Sequence, residues 1–210
     1  MSIVTRKPPM KETVGAQYLC FCKMTEDGEW SNLFDELVEK TEVVKSVKVT
    51  ENSEITNAYA SGKIYDSDSS TSATDIETQV IAYPIDTLAK MRGELVDAGG
   101  LMLSGGGGER PYFAYGKVVK LKHGKVRYEW YPKCKLTENS DEISTREEKF
   151  SEQADTIKIS AYPFNENGDI KAYVDSSASN FPEGITEEKF FAKPILTKED
   201  LLAAVGARVE

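Results

Sequence analysis

The stretch Asp75-Ile76-Glu77-Thr78-Gln79-Val80-Ile81-Ala82-Tyr83-Pro84 decides the fold. Polar Asp75, Glu77 and Gln79 alternate with Ile76, Thr78 and Val80, the period of a strand with one dry face and one wet face. Tyr83-Pro84 ends the strand. Ile85, Leu88, Ala89, Arg92, Leu95 and Val96 then recur at helical spacing as far as Gly99-Gly100, which predicts a helix with a glycine stop. A glycine run, Ser104 to Gly108, leads to a hairpin turning at His123-Gly124, where glycine supplies the positive φ of a tight turn. Ser72 to Leu136 forms one unit of strand, helix and hairpin, and nothing in it has a catalytic pattern.

Outward from this unit the chain stays β-rich. Val14 to Lys23 reads as a first strand, Asp27-Gly28 as a turn, and Ser31 as the cap of a short helix carrying Leu33, Phe34, Leu37 and Val38. Val43, Val47 and Val49 share one face of a strand. The polar stretch 51–73 reads as an extended loop, which at this length is functional or disordered. Thr137 to Gln153 is an acidic loop or edge, and Ala154 to Phe164 a further strand. Asn167-Gly168 signals a hairpin whose return strand is Lys171 to Asp175. Within a C-terminal tail and helix at 185–210, Thr197 and Asp200 cap a helix that ends at Gly206. Ala82-Tyr83-Pro84 is echoed by Ala161-Tyr162-Pro163, read as two strands leaving a sheet alike rather than as a duplicated domain.

A chain of 210 residues, 40% apolar and 29% charged, fits one globular domain over 1–210. No stretch is long enough to span a bilayer, and Met1 to Met10 lacks the apolar run of a secretory signal. Cys20, Cys22 and Cys134 are odd in number and sparse, which suits reduced, buried thiols made in a cytosol rather than a disulfide or zinc framework. Arg110 to Lys135 holds eight basic residues and one acid, a net +7, which leaves −16 for the remainder of a chain of net charge −9. A net acidic surface is ill suited to binding DNA phosphates broadly. Ser104 to Gly108 lacks the Gly-Lys-Ser/Thr ending of a phosphate loop, and His123, the only histidine, has no partner placed by sequence. Asp66, Asp68 and Asp75 lack calcium-loop spacing. No cofactor, metal or enzymatic activity is expected.

The ordered series of motifs resembles the major tail protein family of long-tailed, non-contractile bacteriophages, in the subgroup common in phages of Gram-positive hosts. It runs through Asn57-Ala58-Tyr59-Ala60-Ser61-Gly62, the acidic serine-rich Tyr65 to Ser70, the strand into Tyr83-Pro84, Pro111 to Gly116, Arg127 to Tyr131, and Phe150 through Ile159 to Pro163. It covers most of Ala16 to Lys171. The resemblance implies a mainly β (α+β) fold, an antiparallel β-sandwich or half-barrel of the tail-tube type with one packed helix. It implies a structural virion protein, made in the host bacterial cytoplasm, whose hexameric rings stack into a tail tube. Its partners are then its own copies, the tape measure, the tail completion or terminator and distal tail proteins, and the double-stranded DNA that passes through; no membrane is involved.

On that reading Asp75, Glu77 and Gln79 line the lumen, where carboxylates keep a polyanion from sticking. The loop 51–73 folds against the next ring through Ile55, Tyr59, Ile64 and Tyr65. Lys120, Lys122 and Lys125 meet acids such as Glu138, Asp141 and Glu142 of a neighbouring subunit. The alternative is a single-stranded nucleic-acid-binding β domain, with Tyr112, Phe113, Tyr115, Tyr128, Trp130 and Tyr131 of hairpin 112–135 as a stacking platform. Alternation argues against it, because it places Tyr128 and Trp130 together on a core face.

Overall fold

The computed structural model describes residues 7–60, 63–96, 99–105, 108–141, 143, 145 and 154–206, with only the backbone described for 54–60, 64–71, 95 and 96. In chain order the strands and helices are β1 (Lys11–Phe21), β2 (Glu39–Thr41), β3 (Val44–Ala60), β4 (Lys63–Val80), α1 (Ile85–Arg92), β5 (Leu95–Val96), β6 (Met102–Leu103), β7 (Phe113–Leu121), β8 (Lys125–Ser140), β9 (Asp155–Ala161), β10 (Ala172–Asp175), α2 (Glu187–Phe190) and α3 (Lys198–Val205). One open antiparallel sheet takes the order β2-β1-β7-β8-β9-β4-β3, with β10 also on β8. The fold is therefore mainly β with packed helices, as the sequence pattern requires.

The sheet curls. β1 and β3, with four strands between them, lie within contact distance. The enclosed core holds Leu19, Ile76, Val80, Phe113, Tyr115, Tyr131, Ile157 and Ile159, and α1 closes it with Leu88 and Met91. Two bulges aim side chains into it. Val44 pairs with Val80 but Ser46 with Gln79, so the extra residue Lys45 turns Val44, Val47 and Val49 inward, while Val43 is left 41% exposed. Phe113 pairs with Cys134 but Tyr115 with Tyr131. The extra residue there is supplied at Pro132-Lys133, where a missing amide donor is tolerated, and Tyr131 and Cys134 both reach the same core.

A second core lies on the outer face of β1, β7, β8 and β10. The C-terminal segment wraps over it, and Phe190, Phe191 and Ile195 bury Tyr18, Trp130, Tyr128 and Val174. Trp130 Nε1 donates to the Phe190 carbonyl at 3.0 Å, and the Tyr18 ring stacks on Phe191 at 3.9 Å. The wrap needs Gly116, because a Cβ there would sit 2.7 Å from the Phe191 ring and 2.9 Å from Trp130.

Several expectations are revised. Within the polar stretch 51–73, residues 51–60 and 63–73 run as paired strands, with Ile55 opposite Ser69 and Tyr59 opposite Ile64. Helix α1 stops at Gly93 (φ 68), not at Gly99-Gly100. A side chain at position 93 would strike the Glu109 carbonyl at 2.6 Å, and Leu95-Val96 pairs with Met102-Leu103 instead. Ile85 is 59% exposed, and Thr87 and Met91 complete the buried stripe. No helix forms over Leu33 to Val38. The Lys23 and Asp35 amides pair with the Leu33 and Phe21 carbonyls, so this segment runs alongside the end of β1. The turn before Gly168 (φ 80) is present, but β10 returns onto Arg127 to Trp130 of β8 rather than onto β9. The sixteen-residue β8 has room for both, since β9 occupies only Cys134 to Ser140. The C-terminal helix is as expected, with the Thr197–Asp200 capping box and Gly206 at φ 78.

Candidate assembly surfaces

The outer face of β3-β4-β9-β8 is the wet face that the alternation in β4 predicts. Ile76, Thr78 and Val80 are buried, Asp75 and Gln79 exposed, and Glu77 intermediate. Pairing across four strands places Lys48, Glu77, Lys158 and Glu138 in one row. Lys158 Nζ sits 2.6 Å from Glu138. Its hydrogen bond and charge lower the Glu138 pKa, and Glu138 raises that of Lys158. The next row holds Asp75, which accepts from Ser160 Oγ and Asn52 Nδ2, each at 2.7 Å; Gln79 accepts from Ser46 at 3.2 Å. The row through Glu77 thus alternates in sign instead of presenting bare carboxylate.

Beyond Thr74 the β3–β4 hairpin has no third strand among the described residues, because β9 pairs only with Thr74 to Val80. Ile55, Tyr59, Ile64 and Tyr65 all fall on this two-stranded extension.

The basic hairpin β7–β8 divides into two parts. At its tip Lys120, Lys122 and Lys125 are exposed, and His123 and Gly124 take φ 65 and 68. Deeper in, Lys117 and Glu129 face each other across the strands, almost wholly buried, 2.9 Å apart. Burial works against the Glu129 carboxylate, yet the Lys117 ammonium and the Tyr131 hydroxyl hold its pKa below the ordinary value. The sequence reading missed this pair; Glu129, the one acid in an otherwise basic hairpin, opposite a lysine at a cross-strand position, was the available signal. A second interior network was also missed. Gln17 Nε2 donates to Tyr83 Oη at 2.6 Å, and Thr78 and Tyr115 hydroxyls meet at 3.1 Å.

Glu138 is engaged by Lys158 of its own chain, not by the hairpin lysines. Asp141 is exposed, and Glu142 lies outside the described residues. The stacking-platform alternative finds no support, with Tyr112 the one ring of the set that is partly exposed. Phe113, Tyr115, Tyr128, Trp130 and Tyr131 are all core residues with no face for a base. The three cysteines are free and buried. Burial raises the Cys20 and Cys22 thiols to about 11 and about 12, which makes them poor nucleophiles. Among the described residues, no group of three His, Cys, Asp or Glu is placed to hold a metal ion, and no helix is long and apolar enough to cross a membrane.

A family model described as phage tail tube protein matches residues 35–197. No curated protein matches the chain.

Proposed function

The chain belongs to the phage tail tube protein family, and from that premise we propose that its copies close into hexameric rings that stack into the conduit for DNA ejection. Its place is the virion tail. The observation that carries the ring is the open sheet. Among the described residues, the 17 residues of β3 have a strand on one side only, and β2 covers only Gln17 to Leu19 of β1. Unpaired backbone of this length is satisfied when a neighbouring copy continues the sheet, and a closed ring leaves no such edge over. Stacking is a heterologous contact that does not close, so it extends into a filament.

On this reading the outer face of β3-β4-β9-β8, with Asp75, Glu77 and Gln79, lines the lumen. The hairpin extension carrying Ile55, Tyr59, Ile64 and Tyr65 reaches the adjacent ring. The tape measure, the terminator or completion protein and the distal tail protein bound the tube. No catalytic turnover is required of the subunit.

Electron microscopy of purified protein tests the proposal. Sixfold rings or tubes are expected. Monomers that persist at high concentration by light scattering, with no growth on seeding, would falsify it.

A further inference from the structure

Lys7, Lys122 and Lys125 converge with His123 on a groove between the N-terminal arm, Pro8 to Met10, and the loop Ser177 to Asn180. The lining offers ammonium groups, an imidazole, hydroxyls and an amide, and no carboxylate among the described residues. Elsewhere on the surface Lys90, Lys135, Lys158 and Lys171 each have a carboxylate within 3.2 Å. No ion pair among the described residues reaches Lys7, Lys122 or Lys125. Three acids of neighbouring strands are committed elsewhere. Glu129 is held by Lys117, and Asp175 by Arg127 at 2.7 Å and by Ser177 at 2.6 Å. Glu42, which feels the charge of Lys120, is held by Lys40 at 2.7 Å. Glu12 of β1 lines a different cavity, with Lys11, Lys45 and Lys117, so none of these acids lines the groove.

We propose that the groove seats the acidic stretch 141–152 of a second copy, an inference that rests on the tube reading. That stretch, entered through exposed Asp141, carries Asp141, Glu142, Glu147, Glu148 and Glu152 against Arg146 and Lys149. In the described part of β8 just before it, Glu138 is already neutralised by Lys158, while by sequence the stretch 141–152 holds five acids against two basic residues. Each exposed pair contributes at most about 1 kcal/mol, so the contact selects orientation and speeds encounter more than it drives assembly.

The test uses unmodified protein. Tubes grown from an equal mixture of isotopically heavy and light chains are treated with a zero-length carbodiimide, and cross-linked peptides are read by mass spectrometry. Heavy–light links from Lys122 or Lys125 to residues 141–152 are expected in tubes and not in monomer. The double variant K122E/K125E is expected to polymerise roughly tenfold more slowly at low salt, with the gap closing as salt rises. Tubes that yield these links only within one copy, or none, overturn the inference and leave the tube reading intact. Parent-like polymerisation of the variant at every salt does the same. Duplex DNA that binds the parent and not the variant, without the heavy–light links, assigns the groove to nucleic acid instead. Failure to form any tube removes both readings together.

Discussion

Lys117 Nζ lies 2.9 Å from Glu129 Oε2, with the two side chains only 10% and 7% exposed. A lone charge at either position would be stranded in the core, so the pair is worth more as a constraint than as a gain. It favours one register of β7 on β8, because a slip of one residue would send one of the two charges to the opposite face and break the pair. Replacing Lys117 by Met alone is expected to cost about 3 kcal/mol in chemical denaturation, by leaving the buried carboxylate with only the more distant Arg127, at 3.8 Å, as a cation. The double variant K117M/E129L is expected to recover most of that loss. A double variant as unstable as K117M would show that the cost lies in packing and not in charge.

The same pair sets a pH dependence. The folded Glu129 pKa lies below the ordinary 4.5. Its contribution to stability is therefore complete above about pH 4.5 and is lost as pH falls through the folded value. Between pH 6 and pH 3 the urea midpoint of the parent should fall more steeply than that of E129Q, as followed by circular dichroism. Parallel slopes for the two proteins would reject the assignment.

What the sequence showed and what it hid follow a physical divide. Signals that act within a few residues were legible. The Thr197–Asp200 capping box, the left-handed turn at His123-Gly124 and the alternation through Asp75 to Val80 all appear where the pattern puts them. Signals that depend on distant backbone were not. The helix expected from Leu33 to Val38 gives way to hydrogen bonds with Phe21 and Lys23. The bulges at Lys45 and near Pro132 change which residues face the core without breaking the hydrophobic count. The polar stretch 51–73 looked like a loop because its sequence carries no sustained hydrophobic period.

Gly116 is expected to resist substitution more than any other glycine of the sheet. Its missing Cβ makes room for the Phe191 and Trp130 rings, at 2.7 and 2.9 Å from where that carbon would lie. Gly116→Ala should destabilise the subunit by about 1–3 kcal/mol through overpacking. It should also raise hydrogen exchange across residues 181–205, because the C-terminal wrap must lift to admit the methyl. A stability loss with no change in exchange there would place the strain elsewhere.

If the outer face of β3-β4-β9-β8 lines the tube, its charge balance governs how DNA slides. The row Lys48, Glu77, Lys158 and Glu138 alternates in sign, so no run of lysines is left to hold phosphates. Replacing Asp75 and Glu77 by Lys tips this face strongly positive while keeping both side chains on the wet side. Assembly should proceed, and DNA ejection should slow, with the delay shrinking as salt rises. Parent-like ejection, or a tube reconstruction with this face turned outward, would overturn the lumen assignment and leave the tube itself standing.

The hairpin extension gives the sharpest contrast between the free and the assembled subunit. From Val44 to Thr50, β3 leans on β4, which is itself backed by β9 from Thr74 to Val80. Past Thr74 the backing ends and the two strands continue to Ala60 and Lys63 with only each other. A two-stranded ribbon without a third strand is marginal in water, and 51–73 carries few apolar residues to change that. Slow amide exchange is therefore expected through residues 44–50 and 74–80 of the monomer, with fast exchange through 51–73. In tubes, contact with an adjacent ring should protect 51–73 by at least tenfold, about 1.4 kcal/mol of local opening energy. Substituting Tyr59 and Tyr65 by Ser should weaken that protection and slow elongation while leaving the monomer melting temperature unchanged. Equal protection of 51–73 in monomer and tube would mean that the ribbon is ordered on its own, and its assignment to the contact between rings would lose its basis.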